Sequence, residues 1–118
     1  MILSILAAAS VAITQAPGHP IFLNCVAWPP SGKVTHTVVI DVPMAWVDGD
    51  KFRASLTSGG TFYTLRGPIV APNAQPRQQI VFNISRLQGG YSVLDSHSNV
   101  LEIAPGIIDG CTIAKPIF

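Results

Sequence analysis

Hydrophobic and polar positions alternate over much of this 118-residue chain, in short runs that are separated by turns. The clearest alternation covers residues 51–57. One face of this run carries Phe52, Ala54 and Leu56, and the other carries charged and hydroxyl side chains. Alternation with a period of two is typical of a half-buried β-strand, so this run predicts a strand with one face in the core.

The same reasoning predicts a sheet built from several short strands. Clusters of glycine, proline and polar residues interrupt the apolar runs and favour turns. Glycine and proline each occur ten times. The runs therefore predict an antiparallel sheet of five or more strands. The predicted strands cover residues 21–28, 51–57, 61–65, 78–83, 91–95, 100–103 and 111–113.

Residues 34–46 fit two kinds of structure. Apolar side chains recur at every fourth position, which is the spacing of a helical stripe. The stripe consists of Val34, Val38, Val42 and Trp46. The segment also shows a pattern with a period of two, at Val34, His36, Val38, Ile40 and Val42. Its β-branched side chains favour a strand. Because Pro43 would interrupt a helix interior, local propensity tips slightly towards a strand.

The first sixteen residues form an apolar stretch without a charged side chain. The stretch is too short to cross a bilayer, which takes about 20 apolar residues. It ends in Thr14-Gln15-Ala16, with small residues at the two positions that a signal peptidase reads. These features predict a secretory signal peptide over residues 1–16 and one mature domain over residues 17–118. A buried N-terminal strand or helix is the alternative.

The composition indicates a globular domain without a strong overall electrostatic field. Hydrophobic residues make up 48% of the chain and charged residues 11%, which excludes a disordered protein. The formal net charge is only +1. Long-range attraction to nucleic acid or to a membrane is therefore weak, and such binding would need a local patch. We predict no membrane partner.

Cys25 and Cys111 are the two cysteines of the chain. In an oxidising compartment an even pair usually forms a bridge, and here only one pairing exists. Closing so long a loop would stabilise the fold by about 4–5 kcal/mol. A metal site is not predicted, because two cysteines and three scattered histidines match no zinc-ligand spacing. No cofactor is predicted either.

Asn83-Ile84-Ser85 matches the acceptor sequence for N-glycosylation. The triplet follows an apolar run, so its use depends on whether the Asn83 side chain is exposed. Asn83 is therefore a candidate modification site of a secreted protein.

Three segments in the second half of the chain resemble a known family. Residues 62–69 resemble its central strand, and residues 79–83 resemble its Arg-Val-Val-Phe-Asn strand. Residues 87–94 resemble the hairpin before its catalytic histidine. The family is that of the guanyl-specific microbial ribonucleases. The likeness is greater to their non-catalytic relatives, the RNase-like effectors secreted by plant-pathogenic mildews.

The resemblance implies an α+β fold, in which a small antiparallel β-sheet carries one helix. It also implies that a bridge between Cys25 and Cys111 joins the two ends of the domain. On this basis we expect the helix in residues 34–46, against the local propensity, with Pro43 ending or kinking it.

The chain departs from the family at the catalytic positions. Thr64 stands where the family has its glutamate base, and Gln79 stands where it has a phosphate-binding arginine. The general-acid histidine would fall at Ser96, one residue before His97. A shift of one residue turns a strand side chain to the opposite face. The resemblance therefore implies a protein without ribonuclease activity.

Two sets of side chains are candidates for function. In an active enzyme, the acid, base and cation would be His97, Glu102 and Arg66, since Glu102 is the only glutamate. A basic face with an aromatic platform would instead suit single-stranded RNA. The predicted RNA-binding residues are Arg53, Tyr63, Arg66 and Arg77, with Lys51 and Arg86 as further cations and Phe62 as the alternative platform.

We therefore expect a monomeric virulence effector of a plant pathogen that is secreted to the extracellular space, with delivery into host cells as an alternative destination. It would bind host RNA or a host protein without catalysis. One alternative is an active secreted ribonuclease. Another is an all-β sandwich effector, held by the same disulfide and recognised by host immune receptors.

Overall fold

The computed structural model describes residues 19–57, 59–106 and 109–114, and the predicted signal peptide, residues 1–16, lies outside the described residues. Within the described ranges the chain forms nine β-strands and no helix. The strands are β1 (Ile21–Ala27), β2 (Val34–Asp41), β3 (Met44–Val47), β4 (Asp50–Leu56), β5 (Phe62–Gly67), β6 (Ile80–Ser85), β7 (Tyr91–Asp95), β8 (Val100–Ala104) and β9 (Gly110–Ile113).

The strands form one antiparallel sheet in the order β8-β7-β6-β5-β4-β3-β2-β1-β9. Consecutive strands are neighbours from β1 to β8, and β9 returns to pair with the free side of β1. β1 also contacts β8, so the sheet curls until its two ends nearly meet. Near this closure the backbone N–H of Cys111 donates to the carbonyl oxygen of Gly89, with an N···O distance of 2.6 Å. The result is a nearly closed, barrel-like sheet.

Alternate side chains of each strand point inward and fill the interior, as expected for a small closed sheet. The predicted alternation in residues 51–57 is seen at Phe52 and Ala54, which are buried, whereas Leu56 is exposed at the end of its strand. The buried apolar residues are Ile21, Leu23, Cys25, Ala27, Val38, Ile40, Ala45, Val47, Phe52, Ala54, Tyr63, Leu65, Phe82, Ile84, Tyr91, Val93, Ala104 and Cys111.

The predicted α+β fold is wrong, and so is the helix expected in residues 34–46. This segment forms β2 and β3, which pair with each other across a turn at Val42 and Pro43. The implied family fold had favoured the helix over the local propensity. The stripe at every fourth position is also compatible with a strand, because four is a multiple of the strand period of two. The all-β class of the alternative fits the structure, as one nearly closed sheet.

The predicted disulfide between Cys25 and Cys111 is confirmed. The two residues are direct cross-strand partners on β1 and β9, with Cα atoms 3.9 Å apart. The bridge therefore fastens the last strand of the described chain to the first.

Candidate functional site

The outer face of β4 to β7 carries two rows of side chains that run across the strands. The first row is Arg53, Arg66, Val81 and Leu94, and the second is Ser55, Thr64, Asn83 and Ser92. Paired positions of neighbouring strands project from the same face of a sheet. The register therefore places both rows on one surface.

Arg53 and Arg66 are exposed cross-strand neighbours that carry the same charge. Over residues 19–57, 59–106 and 109–114, neither guanidinium forms an ion pair. Like charges directly opposite each other on a sheet are unfavourable by about 0.2–1 kcal/mol. An anion bound between them would remove this repulsion and accept charge-assisted hydrogen bonds, so the pair favours an anionic ligand.

An open cleft of about 430 Å³ lies beside this pair, over β5, β6 and β7. We call it the outer cleft. The Thr64 hydroxyl in its lining donates to Oδ1 of Asn83 at 3.1 Å, and the Gln79 amide donates to the Pro68 carbonyl at 2.9 Å. The polar lining residues are Thr64, Arg66, Gln79, Asn83, Asp95, Ser96 and Ser98.

Asp95 supplies a fixed carboxylate to the outer cleft. Hydrogen bonds from the backbone and side chain of Asn99, and from the backbone N–H of His97, hold its oxygens. The backbone bond from Asn99 is the main reason why the pKa of Asp95 lies below its ordinary value. The outer cleft thus presents both a cation, Arg66, and an acceptor that stays ionised.

A second set of polar side chains surrounds His36 of β2 and extends from the interior of the barrel-like sheet to the exposed β3–β4 turn. His36 Nδ1 is 2.7 Å from Oδ2 of Asp48, in the β3–β4 turn. On the other side of the ring, Nε2 is 3.0 and 3.1 Å from the two carboxylate oxygens of Glu102 on β8. The Tyr91 hydroxyl donates to Oε2 of the same glutamate. This interior network links β2, β7 and β8.

The geometry of the interior network favours the imidazolium form of His36. An ionised carboxylate can only accept, so both ring nitrogens must donate when each faces one. Burial of the ring opposes its charge, but the hydrogen bonds and the charges of Asp48 and Glu102 outweigh burial and raise the pKa of His36. Burial, followed by the bond to Glu102, raises the pKa of the Tyr91 hydroxyl as well.

The interior network is better suited to stabilising the fold than to catalysis. Both ring nitrogens of His36 are engaged, so the ring has no lone pair with which to accept a proton from a substrate. The two carboxylates lie on opposite sides of the ring and do not converge on one point. Among the described residues, no group of three or more metal-ligating side chains is placed to hold a metal ion.

Arg77 lies apart from the pair of arginines on the outer face. It lines another cleft, of about 410 Å³, which also contains His36 and Asp48. Its guanidinium forms an exposed ion pair with Asp50 at 3.0 Å, and the hydrogen bond from Arg77 lowers the pKa of that carboxyl. Since its charge is compensated there, Arg77 contributes little to a basic surface.

The structure does not bring the three predicted catalytic residues together. His97 is exposed in the β7–β8 turn, where its ring contacts the Ser96 hydroxyl. Glu102 points into the interior and is occupied by His36, whereas Arg66 projects from the outer face. The sheet itself separates Glu102 from Arg66.

Two predicted RNA-binding residues, Arg53 and Arg66, share the outer face, but Tyr63 does not join them. Tyr63 lies in the core with 3% of its surface exposed, because it is one residue out of phase with Arg66 and Thr64. It therefore cannot offer a stacking surface. Phe62, the alternative platform, is 40% exposed on the outer face.

Sequence reasoning missed the interior network. No motif or spacing in the sequence connected His36 with Glu102. One feature of the sequence did point to an inward side chain. His36 is separated from Val38 and Ile40 by even numbers of residues, so on a strand it lies on the same inward face. The partner on β8 could not be found this way, because it depends on closure of the sheet.

No family model matches the chain, and neither a curated protein nor a solved structure matches it. The structure also contains, within its described ranges, no helix that is long and apolar enough to span a membrane.

Proposed function

We propose that this protein is a secreted effector that acts by binding and not by catalysis, and that its ligand is single-stranded RNA of the host. The ligand-binding surface is the outer face of β4 to β7, together with the outer cleft. The apolar, charge-free residues 1–16 are the feature that supports secretion.

The observation that carries this proposal is the uncompensated pair formed by Arg53 and Arg66. Positive side chains that track a phosphate backbone and an aromatic ring on which bases stack are the two elements of single-strand recognition. Phe62 and Arg66 lie on the same face of β5, with Thr64 between them. Asp95 adds an acceptor for the N–H donors of a base.

The test is binding of a labelled single-stranded RNA oligonucleotide, followed by fluorescence anisotropy over a range of salt concentrations. We expect Arg53→Gln and Arg66→Gln each to weaken binding by about tenfold or more, since a hydrogen bond to a charged group contributes about 1.5–3 kcal/mol. Each variant should also lower the slope of log affinity against log salt by about one.

Lys33→Gln is the matched control. It removes one positive charge from the β1–β2 turn, where Lys33 lies 5.6 Å from the Trp28 ring. Its affinity for RNA should stay close to that of the unmodified protein. Equal losses in all three variants would show non-specific attraction only, and RNA cleavage by the unmodified protein would contradict a non-catalytic role.

A host protein is the second candidate ligand. Val100, Leu101 and Ile103 of β8 are apolar and at least half exposed, which is typical of a surface that contacts another protein. If RNA fails to bind at any salt concentration, this candidate replaces the first.

A further inference from the structure

The glycosylation sequence lies on the proposed binding surface. Asn83 and Ser85 belong to β6 and alternate with Ile84, which is fully buried in the interior. Asn83 therefore projects from the outer face, directly opposite Thr64 of β5. Its side chain lines the outer cleft together with Arg66.

The orientation of the Asn83 amide leaves its nitrogen available. Oδ1 accepts a hydrogen bond from the Thr64 hydroxyl at 3.1 Å. The amide nitrogen Nδ2 has no hydrogen-bond partner among the described residues. Every buried side-chain nitrogen or oxygen in the described part of the chain does have a hydrogen-bond partner, so Nδ2 is not buried. Nδ2 is therefore in contact with solvent in the outer cleft. It is the atom that carries the sugar in an N-glycosylated asparagine.

We propose that an N-linked glycan on Asn83 occupies the outer cleft and prevents RNA from binding there. This inference rests on the proposed function, and it adds a means of regulation to the same site. Oδ1 stays an acceptor after modification, so the bond from Thr64 and the fold are retained. A bulky glycan that begins at Nδ2 stands beside Arg66, in the path of a bound strand.

The transfer itself requires a lipid diphosphate-linked oligosaccharide as donor, which the secretory pathway supplies. A bond forms between Nδ2 and the anomeric carbon C1 of the oligosaccharide. The bond between C1 and the diphosphate oxygen breaks, the lipid diphosphate leaves, and the amide loses one proton. Because β6 is an inner strand between β5 and β7, transfer takes place before the sheet is complete.

The experiment compares full-length chains secreted from the same eukaryotic cells. One is the unmodified sequence, and another carries Ser85→Ala, which removes the acceptor sequence but keeps Asn83. Because the Ser85 hydroxyl accepts a bond from the Gln88 N–H, the unmodified sequence from cells in which synthesis of the lipid-linked oligosaccharide is inhibited serves as a second unglycosylated variant, with Asn83 and Ser85 both intact. Mass spectrometry before and after N-glycosidase treatment reports the glycan, and RNA anisotropy reports binding.

A control glycan separates occupation of the cleft from a general effect of sugar. Ser31→Asn with Lys33→Thr, made in the Ser85→Ala background, moves the acceptor sequence to the exposed β1–β2 turn, whose residues line neither the outer cleft nor the cleft of Arg77. We expect the glycosylated unmodified protein to lose RNA binding. Both unglycosylated variants and the variant with the displaced glycan should bind.

The outcomes distinguish this inference from the proposed function. Failure of the unglycosylated variants to bind RNA would overturn the proposed function. If those variants bind but the protein glycosylated at Asn83 binds equally well, or if Asn83 carries no glycan, the inference is wrong and the proposed function stands.

Discussion

At the scale of single residues, the position of His36 in the alternating pattern of β2 determines whether its ring lies in solvent or among interior carboxylates. Its neighbours Thr35 and Thr37 face outward, so His36 must face the interior with Val38. Burial would normally keep a histidine neutral. Here carboxylates meet both ring nitrogens, and the charged form is the stable one.

This charge predicts a pH-dependent stability. The pKa of His36 is raised in the folded protein, so its contribution is complete below the unfolded pKa of about 6.5 and is lost as pH rises through the folded pKa. We expect the free energy of unfolding, measured with urea, to fall with pH in this range. Asp50 and Asp95 have lowered pKa values and lose their contributions only in acid.

His36→Gln should remove this pH dependence, because glutamine cannot take up the proton. His97→Gln is the control, since His97 lies exposed in a turn and its imidazole ring forms no ion pair among the described residues. A stability that stays constant with pH in the unmodified protein would mean that His36 is not charged in the folded state.

At the scale of elements, closure of the sheet depends on how closely two backbones approach. Gly89, between β6 and β7, has φ of +76°, and its carbonyl accepts the N–H of Cys111 on β9. A Cβ at this position would lie 2.5 Å from the Cys111 carbonyl oxygen, which is too close for a real contact. Only glycine permits both the conformation and the approach.

Gly89→Ala should therefore destabilise the protein more than Gly49→Ala. Gly49 has φ of +90° in the two-residue β3–β4 turn, but a Cβ there would meet nothing within 4 Å. Its substitution carries the conformational cost alone, about 1–2 kcal/mol. Urea unfolding of both variants measures the difference. Equal losses of unfolding free energy in the two variants would show that the close approach to Cys111 adds no cost to the Gly89 substitution.

At the scale of the whole molecule, the barrel-like sheet joins the two ends of the described chain. β9 pairs only with β1 among the described strands, through four residues, and the disulfide crosses this pair. The interior network makes a second connection, from β2 to β8. Both are contacts between residues far apart in sequence, so their formation constrains a large part of the unfolded chain.

Removal of the bridge should lower stability throughout the fold. We expect Cys25→Ala with Cys111→Ala to reduce the free energy of unfolding by about 2–5 kcal/mol. Reductant should weaken the unmodified protein to a similar degree and leave the double variant unchanged. Insensitivity of the unmodified protein to reductant would contradict a stabilising bridge.

Much of the strand pattern could be predicted because alternation and turn residues act over a few positions. The runs at residues 21–28, 91–95 and 100–103 are strands in the structure, with small differences at their ends. The prediction failed in residues 34–46, where an implied family fold was preferred to the local preference of β-branched residues. Of the residues predicted to bind RNA, Arg53 and Arg66 share a face of the sheet, whereas Tyr63 is buried.

The sequence by itself determined the short strands, the turns between them and the pairing of Cys25 with Cys111, because each follows from local preference or from the absence of another cysteine. Only the tertiary structure decided that Arg53 faces Arg66, that Asn83 opens into the outer cleft and that Glu102 reaches His36. These contacts depend on strand register and on closure of the sheet. Both are set by packing between distant segments, which no local pattern records.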